Sequence, residues 1–160
     1  MNKVPITRAG FEKLKRELEH LKGVSIPENV RDIETARGHG DLSENAEYTA
    51  AKERQAFLHS RLQELELNLA ASDIIEVKGL TNERAVFGTT VTLQDTGTGE
   101  ECAYRLVGPF ESDIAFNRIS VTSPIGKALV SHCVGDVVKV KTPGGLRQFE
   151  ILDIVAGEED

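Results

Sequence analysis

Two carboxylates three positions apart, Asp41 and Glu44, lie in the stretch Arg37-Gly38-His39-Gly40-Asp41-Leu42-Ser43-Glu44-Asn45-Ala46-Glu47-Tyr48. Residues at that spacing share one side of a helix start, so the pair can present its oxygens together. Hard divalent cations such as Mg²⁺ prefer carboxylate oxygens and are usually held by one or two of them plus phosphate and water. Two acids do not make a complete metal site, but they can complete one supplied by another protein. The same pattern has a purely structural reading. Asp-x-x-Glu at a helix N-terminus is a capping-box arrangement, and acids there suit the positive end of the helix dipole. Residue types alone leave both readings open. Arg37, Lys52 and Arg54 read as a solvated helical face, and His39 between two glycines reads as an exposed loop residue.

Other chemistry finds no support in the chain. There is no Gly-rich phosphate loop of the Walker or dinucleotide type. His20, His39, His59 and His132 have no metal-binding spacing, and no Ser, Cys or Thr stands in a nucleophile motif. Cys102 and Cys133 are far apart and read as reduced thiols. A net charge of −7 argues against a protein whose main task is wrapping duplex DNA. No run of eighteen or more apolar residues occurs, so no membrane span is expected. The first residues, Met1-Asn2-Lys3-Val4-Pro5, lack the apolar core of a secretory signal, from which a cytoplasmic location is expected.

The elements that position the acids are helical. Thr7 can cap a first helix, and Ile6 can pack on Phe11 as a hydrophobic staple. Phe11, Leu14, Leu18 and Leu21 follow at the a/d spacing of a coiled-coil seam. Gly23 and Pro27 predict a break or kink, after which Val30, Ile33 and Ala36 resume one face. Gly38-His39-Gly40 ends that helix through a left-handed glycine. A second helix is expected from around Asp41 to Ser43, with Tyr48, Ala51, Leu58, Leu62, Leu65 and Leu69 at heptad-like spacing. Two apolar seams joined by a turn of about six residues predict an antiparallel hairpin. At about 1.5 Å per residue such an arm reaches about 45 Å, too long to bury in a small globule, so it is expected to project.

The chain changes character near residue 78, and the expected domains are residues 1–78, helical, and 79–160, mostly strand. In the second half Val86, Gly88, Thr90 and Thr92 alternate with Phe87, Thr89, Val91 and Leu93. Further strands are expected at Glu101–Val107 and Arg118–Thr122. Ser123-Pro124 reads as an N-cap followed by proline at N1 of a short helix through Leu129 and Val130. Val137, Val138 and Val140, then Thr142-Pro143-Gly144-Gly145, then Phe149, Ile151 and Ile154 read as a closing hairpin. Phe87, Tyr104 and Phe149 are expected in the core. The fold class is therefore α+β: a helical coiled-coil hairpin followed by a small antiparallel sheet with one helix.

At these residues the sequence resembles the Gre family of bacterial transcription elongation (transcript-cleavage) factors, in its GreA type. The likeness covers nearly the whole chain. It is carried by Pro5-Ile6-Thr7-Arg8-Ala9-Gly10-Phe11-Glu12-Lys13-Leu14, by His39-Gly40-Asp41-Leu42-Ser43-Glu44-Asn45-Ala46-Glu47-Tyr48, and by Ser120-Val121-Thr122-Ser123-Pro124-Ile125 with Val137-Val138 and Lys141-Thr142-Pro143-Gly144-Gly145. The resemblance implies a C-terminal domain of FK506-binding-protein-like fold docked on the rim of the RNA polymerase secondary channel. It implies a coiled coil passing down that channel, where the tip acids Asp41 and Glu44 help hold the polymerase's second Mg²⁺ and position a water. The polymerase then hydrolyses the extruded 3′ end of a backtracked RNA and resumes synthesis, as a two-metal displacement to which the factor lends ligands. Under this reading the protein is not itself an enzyme, binds no cofactor alone, is monomeric and touches nucleic acid weakly, with Arg37 and Lys52 as candidate contacts to the nascent RNA. Gly38 and Ser43 stand where many relatives carry charge, which makes the tip's field milder. Three alternatives compete: a channel-entering inhibitor of polymerase, a peptidyl-prolyl isomerase and a coiled-coil adaptor. The retained acids oppose the first, the absence of Trp from the second half opposes the second, and an adaptor leaves the specific tip unexplained.

Overall fold

The computed structural model describes residues 3–41, 44–76 and 83–156. Packing divides it into two compact units, Met1–Gly10 with Ser72–Asp160, and Phe11–Ala71. A boundary at residue 78 would leave the first ten residues with the helices; they group instead with the sheet. The reason is local. Strand β1 (Val4–Ile6) pairs in parallel with β2 (Ser72–Ile74), and Thr7 donates from both its N–H and its hydroxyl to the Glu111 carboxylate at 2.6 Å each.

Thr7 also caps helix α1 (Arg8–His20) as its sequence position predicts, accepting from the Gly10 N–H at 3.0 Å. Of the break or kink expected at Gly23 and Pro27, the break does not occur. A π-turn over Leu21–Ser25 joins α1 directly to α2 (Ile26–Arg37), with the Ile26 N–H donating five residues back to Leu21 O. Pro27 falls in the first turn of α2, where a missing N–H costs little. The wide π-turn supplies the first step of the buried row, from Leu21 to Ser25. Leu21, Ser25, Asn29 and Ile33 are buried in steps of four, a spacing that would drift around a regular helix of 3.6 residues per turn.

Helix α3 (Ala46–Ala71) begins later than the expected Asp41 to Ser43 and spans about 39 Å. It buries Ala51, Leu58 and Leu65 at strict seven-residue spacing, with Tyr48, Leu62 and Leu69 half-buried beside them. Contacts step backward along α3 as they step forward along α1 and α2. Glu17 meets Arg61, Asn29 meets Ala51, and Ala36 meets Asn45, which defines an antiparallel hairpin. The Arg61 guanidinium grips Glu17 with two bonds of 2.6 and 2.7 Å. That hydrogen-bonded charge holds the Glu17 carboxyl below its ordinary value.

The second unit is a five-stranded sheet of order β5-β4-β3-β7-β6, built from β3 (Thr89–Asp95), β4 (Glu101–Val107), β5 (Arg118–Ser120), β6 (Val137–Thr142) and β7 (Gly145–Ala156). It is antiparallel except between β4 and β5, which run parallel, so the sheet is mixed where an all-antiparallel one was expected. The loop after β4 is long enough to carry the chain back, through Gly108 to Asn117, before β5 begins. Strand β3 starts at Thr89, after Gly88 at φ 92° turns the chain, which removes Val86 and Phe87 from the expected strand. Its inward face is Thr89, Val91 and Leu93, as the alternation predicts, and Phe149, Ile151 and Ile154 of β7 complete the core with Leu129. Phe149 is fully inside and Tyr104 packs against the same core, whereas Phe87 is half-buried.

Candidate functional site

The site is the connection between α2 and α3. At the end of α2, the N–H groups of Gly38, His39 and Gly40 donate back to Thr35 O, Ala36 O and Arg37 O at 3.1, 3.1 and 3.3 Å. Gly38 keeps a right-handed φ of −64° and Gly40 takes φ 101°, so Gly40 is the left-handed glycine of the turn. Asp41 follows and is exposed, and Glu44 is exposed two residues before α3. Leu42 and Ser43 lie outside the described residues.

Neither acid lies within the helix, so their shared helical face is not what places them. The N-cap of α3 is Asn45, whose Oδ1 accepts from the Tyr48 N–H at 3.0 Å, satisfying a donor that the first turn cannot satisfy itself. Its Nδ2 donates to Ala36 O at 2.7 Å, so one side chain joins the start of α3 to the last turn of α2. Glu44, two residues before α3, precedes the positive end of its dipole, which favours negative charge there. His39 is exposed, as expected, and its Nδ1 lies 3.0 Å from Glu47 Oε2, a pairing no sequence pattern announced.

Arg37 is the last residue of α2 and exposed; Lys52 is exposed on α3 and donates to Gln55 Oε1 at 2.8 Å. The two basic candidates thus stand on opposite helices near the same turn. Among the described residues no three His, Cys, Asp or Glu side chains gather into a metal centre. Asp41 and Glu44, open to water, suit the role of a partial oxygen ligand set toward a hard cation. Asn45 is the site residue that periodicity missed. The available signal was its type, since Asn ranks among the best N-caps and stands directly before the helical run from Ala46.

The second unit carries a different feature. A cavity of about 360 Å³ opens between the end of β5, helix α4 (Pro124–Leu129) and the β6–β7 turn, lined mainly by Ile114, Ile119, Pro124, Ile125, Val140 and Pro143. Ser123 builds its wall as an N-cap, accepting from the Gly126 N–H at 3.1 Å while donating to Ser120 O at 2.6 Å. Ile114, one of its lining residues, stands 66% exposed, an unusual exposure for a side chain of that size.

Known proteins share both units. Residues 4–74 match the family described as transcription elongation factor, N-terminal, and residues 80–156 match that described as transcription elongation factor, GreA/GreB, C-terminal. The transcription elongation factor GreA of Syntrophus aciditrophicus is 64% identical over 154 residues, covering 96% of each chain. That of Syntrophobacter fumaroxidans is 50% identical, covering 96% of this chain and 99% of its own. Among solved structures, GreA factor homolog 1 of Thermus thermophilus is 32% identical over 96% of this chain and 99% of its own, with a TM-score of 0.45. With both family models matched end to end, the chain belongs to the GreA/GreB family of transcription elongation factors.

Proposed function

We propose that this factor binds bacterial RNA polymerase and stimulates the polymerase's own cleavage of the 3′ end of backtracked RNA. The observation that carries the reading is the pair of exposed acids, Asp41 and Glu44, on the turn of a long helical hairpin. They are well presented, and among the described residues no three His, Cys, Asp or Glu side chains gather into a complete metal centre. Such a pair serves a centre that another protein completes. Asp41 and Glu44 are the residues that would hold the polymerase's second Mg²⁺, which when bound activates a water for attack on the phosphodiester. The hairpin enters the secondary channel under this reading and carries the acids to the active centre. Arg37 and Lys52, on opposite helices, offer charge to RNA phosphates. The apolar cavity at Ser123-Pro124-Ile125, lined also by the exposed Ile114, is the dock on the channel rim, where buried apolar contact supplies affinity and the tip supplies chemistry.

The test is a stalled, backtracked elongation complex carrying 3′-unextended, 5′-labelled RNA. Added protein is expected to shorten the RNA and restore elongation when nucleotides follow. Binding with slowed elongation and no shortening would instead support a channel-entering inhibitor.

A further inference from the structure

We infer that Asn29 and Asn45 are positioning residues that set the axial register of the hairpin, and through it the placement of Asp41 and Glu44; this rests on the cleavage reading for its functional half. Asn29 is 2% exposed in a mainly apolar seam that also buries Ser25, and its Nδ2 reaches across to Ala51 O on α3 at 2.9 Å. Asn45 makes the reciprocal bond, from α3 to Ala36 O on α2 at 2.7 Å. Each asparagine therefore reads the backbone of the opposite helix. Along α2 the buried Ile33 lies between the two bonded positions, Asn29 and Ala36.

The apolar seam alone does not fix this register. Ala51, Leu58 and Leu65 repeat every seven residues, so a slide of α3 by one repeat, or by one turn with repacking, meets similar side chains. Small residues at Ala36 and Ala51 offer little resistance to such a slide. A buried amide is different. Away from its carbonyl it loses its hydrogen bond without regaining water, which costs more than the bond is worth in place. A polar residue in a coiled-coil seam thus selects one register at some expense of stability. A slide of one turn moves the tip by about 5.4 Å, and a misplacement of about 1 Å can already cost on the order of a hundredfold in rate.

The test uses the full chain with Asn29→Leu and Asn45→Ser, singly and together. Leu fills the volume of Asn29 without its amide, and Ser keeps the N-cap of α3 while losing the reach to Ala36. Register is read directly by spin labels at Glu34→Cys and Glu66→Cys in a Cys102→Ser, Cys133→Ser background, positions separated along the hairpin by roughly 30 Å. The parent should give one narrow distance distribution, and the double variant a broadened one or one shifted by about a helical turn. In the cleavage assay the double variant should lose on the order of tenfold or more in rate at saturating factor, with the half-saturating concentration unchanged and the melting temperature of Asn29→Leu equal to the parent's or higher. An unchanged, narrow distribution in the double variant overturns the inference, as does full cleavage by it. A melting temperature that falls in step with activity also overturns it, because that marks ordinary loss of folding. If the parent protein itself stimulates no cleavage, the functional proposal fails, and the distance measurement still decides the register.

Discussion

Replacing Asp41 with Asn should reduce stimulated cleavage at least on the order of a hundredfold while leaving polymerase binding within about twofold. The substitution keeps the side chain's size and removes one negative charge. A hard cation draws its binding energy from that charge, and an amide oxygen supplies much less of it. Helix α3 is not disturbed, because its cap is Asn45, which accepts from the Tyr48 N–H. Binding is read by competition with labelled parent protein and cleavage by the shortening of labelled RNA, both at limiting Mg²⁺. Full cleavage by Asp41→Asn under those conditions would show that the residue serves only the local fold of the turn.

The second large effect is expected at the opposite end of the chemistry. Gly126 lies buried in α4 next to Ile125, which lines the apolar cavity, and a Cβ placed there would come 2.0 Å from the Ser120 carbonyl oxygen and 2.9 Å from its carbon. Both are backbone atoms, tied down by the Ser123 hydroxyl and N–H, which donate to the same carbonyl at 2.6 and 3.0 Å. A flexible neighbour could swing aside; this one cannot. Gly126→Ala must therefore displace α4 from β5, at a cost of about 3 kcal/mol or more for forced overpacking. Thermal unfolding followed by circular dichroism should show the loss. Affinity for polymerase should fall with it, since Ser123, Pro124 and Ile125 line the proposed dock, whereas Gly23→Ala, on open surface of the hairpin, should change neither. Parent-like melting and parent-like affinity in Gly126→Ala would remove the cavity from the account.

How much of this was readable in the residues depends on the physics behind each signal. The heptad of Ala51, Leu58 and Leu65 was legible because burial along a helix leaves a period. Ser123-Pro124 gave the start of α4 correctly, since a cap followed by proline at N1 uses a local conformational preference that needs no tertiary partner. Strand β3 was legible by alternation, though not its starting residue, which the left-handed turn at Gly88 decides. The continuous helix through Gly23 and Pro27 was not legible. Proline's missing donor predicts a break only if the ladder stays regular, and the π-turn changes the ladder just before it. The parallel pairs β1–β2 and β4–β5 were equally hidden, because three-residue strands carry too little pattern and parallel pairing joins distant segments. At the tip, composition showed the acids but not the residue that caps the helix. Asp41 and Glu44 have the spacing of a capping box, and only the bonds of Asn45 show which residue took that role.

The claim that the polymerase, and not this chain, is the catalyst is tested most directly by the purified protein with single-stranded RNA and Mg²⁺. Two exposed carboxylates would supply only part of a coordination sphere, and Mg²⁺ gives up its water reluctantly to so few ligands. Hydrolysis also needs the phosphodiester held in line with the attacking water, a task that two carboxylates alone do not perform. The RNA should therefore stay intact with the factor alone and be shortened when the same RNA is the 3′ end of a backtracked polymerase complex. Cutting of the free RNA by the purified protein, abolished by Asp41→Ala, would contradict the account.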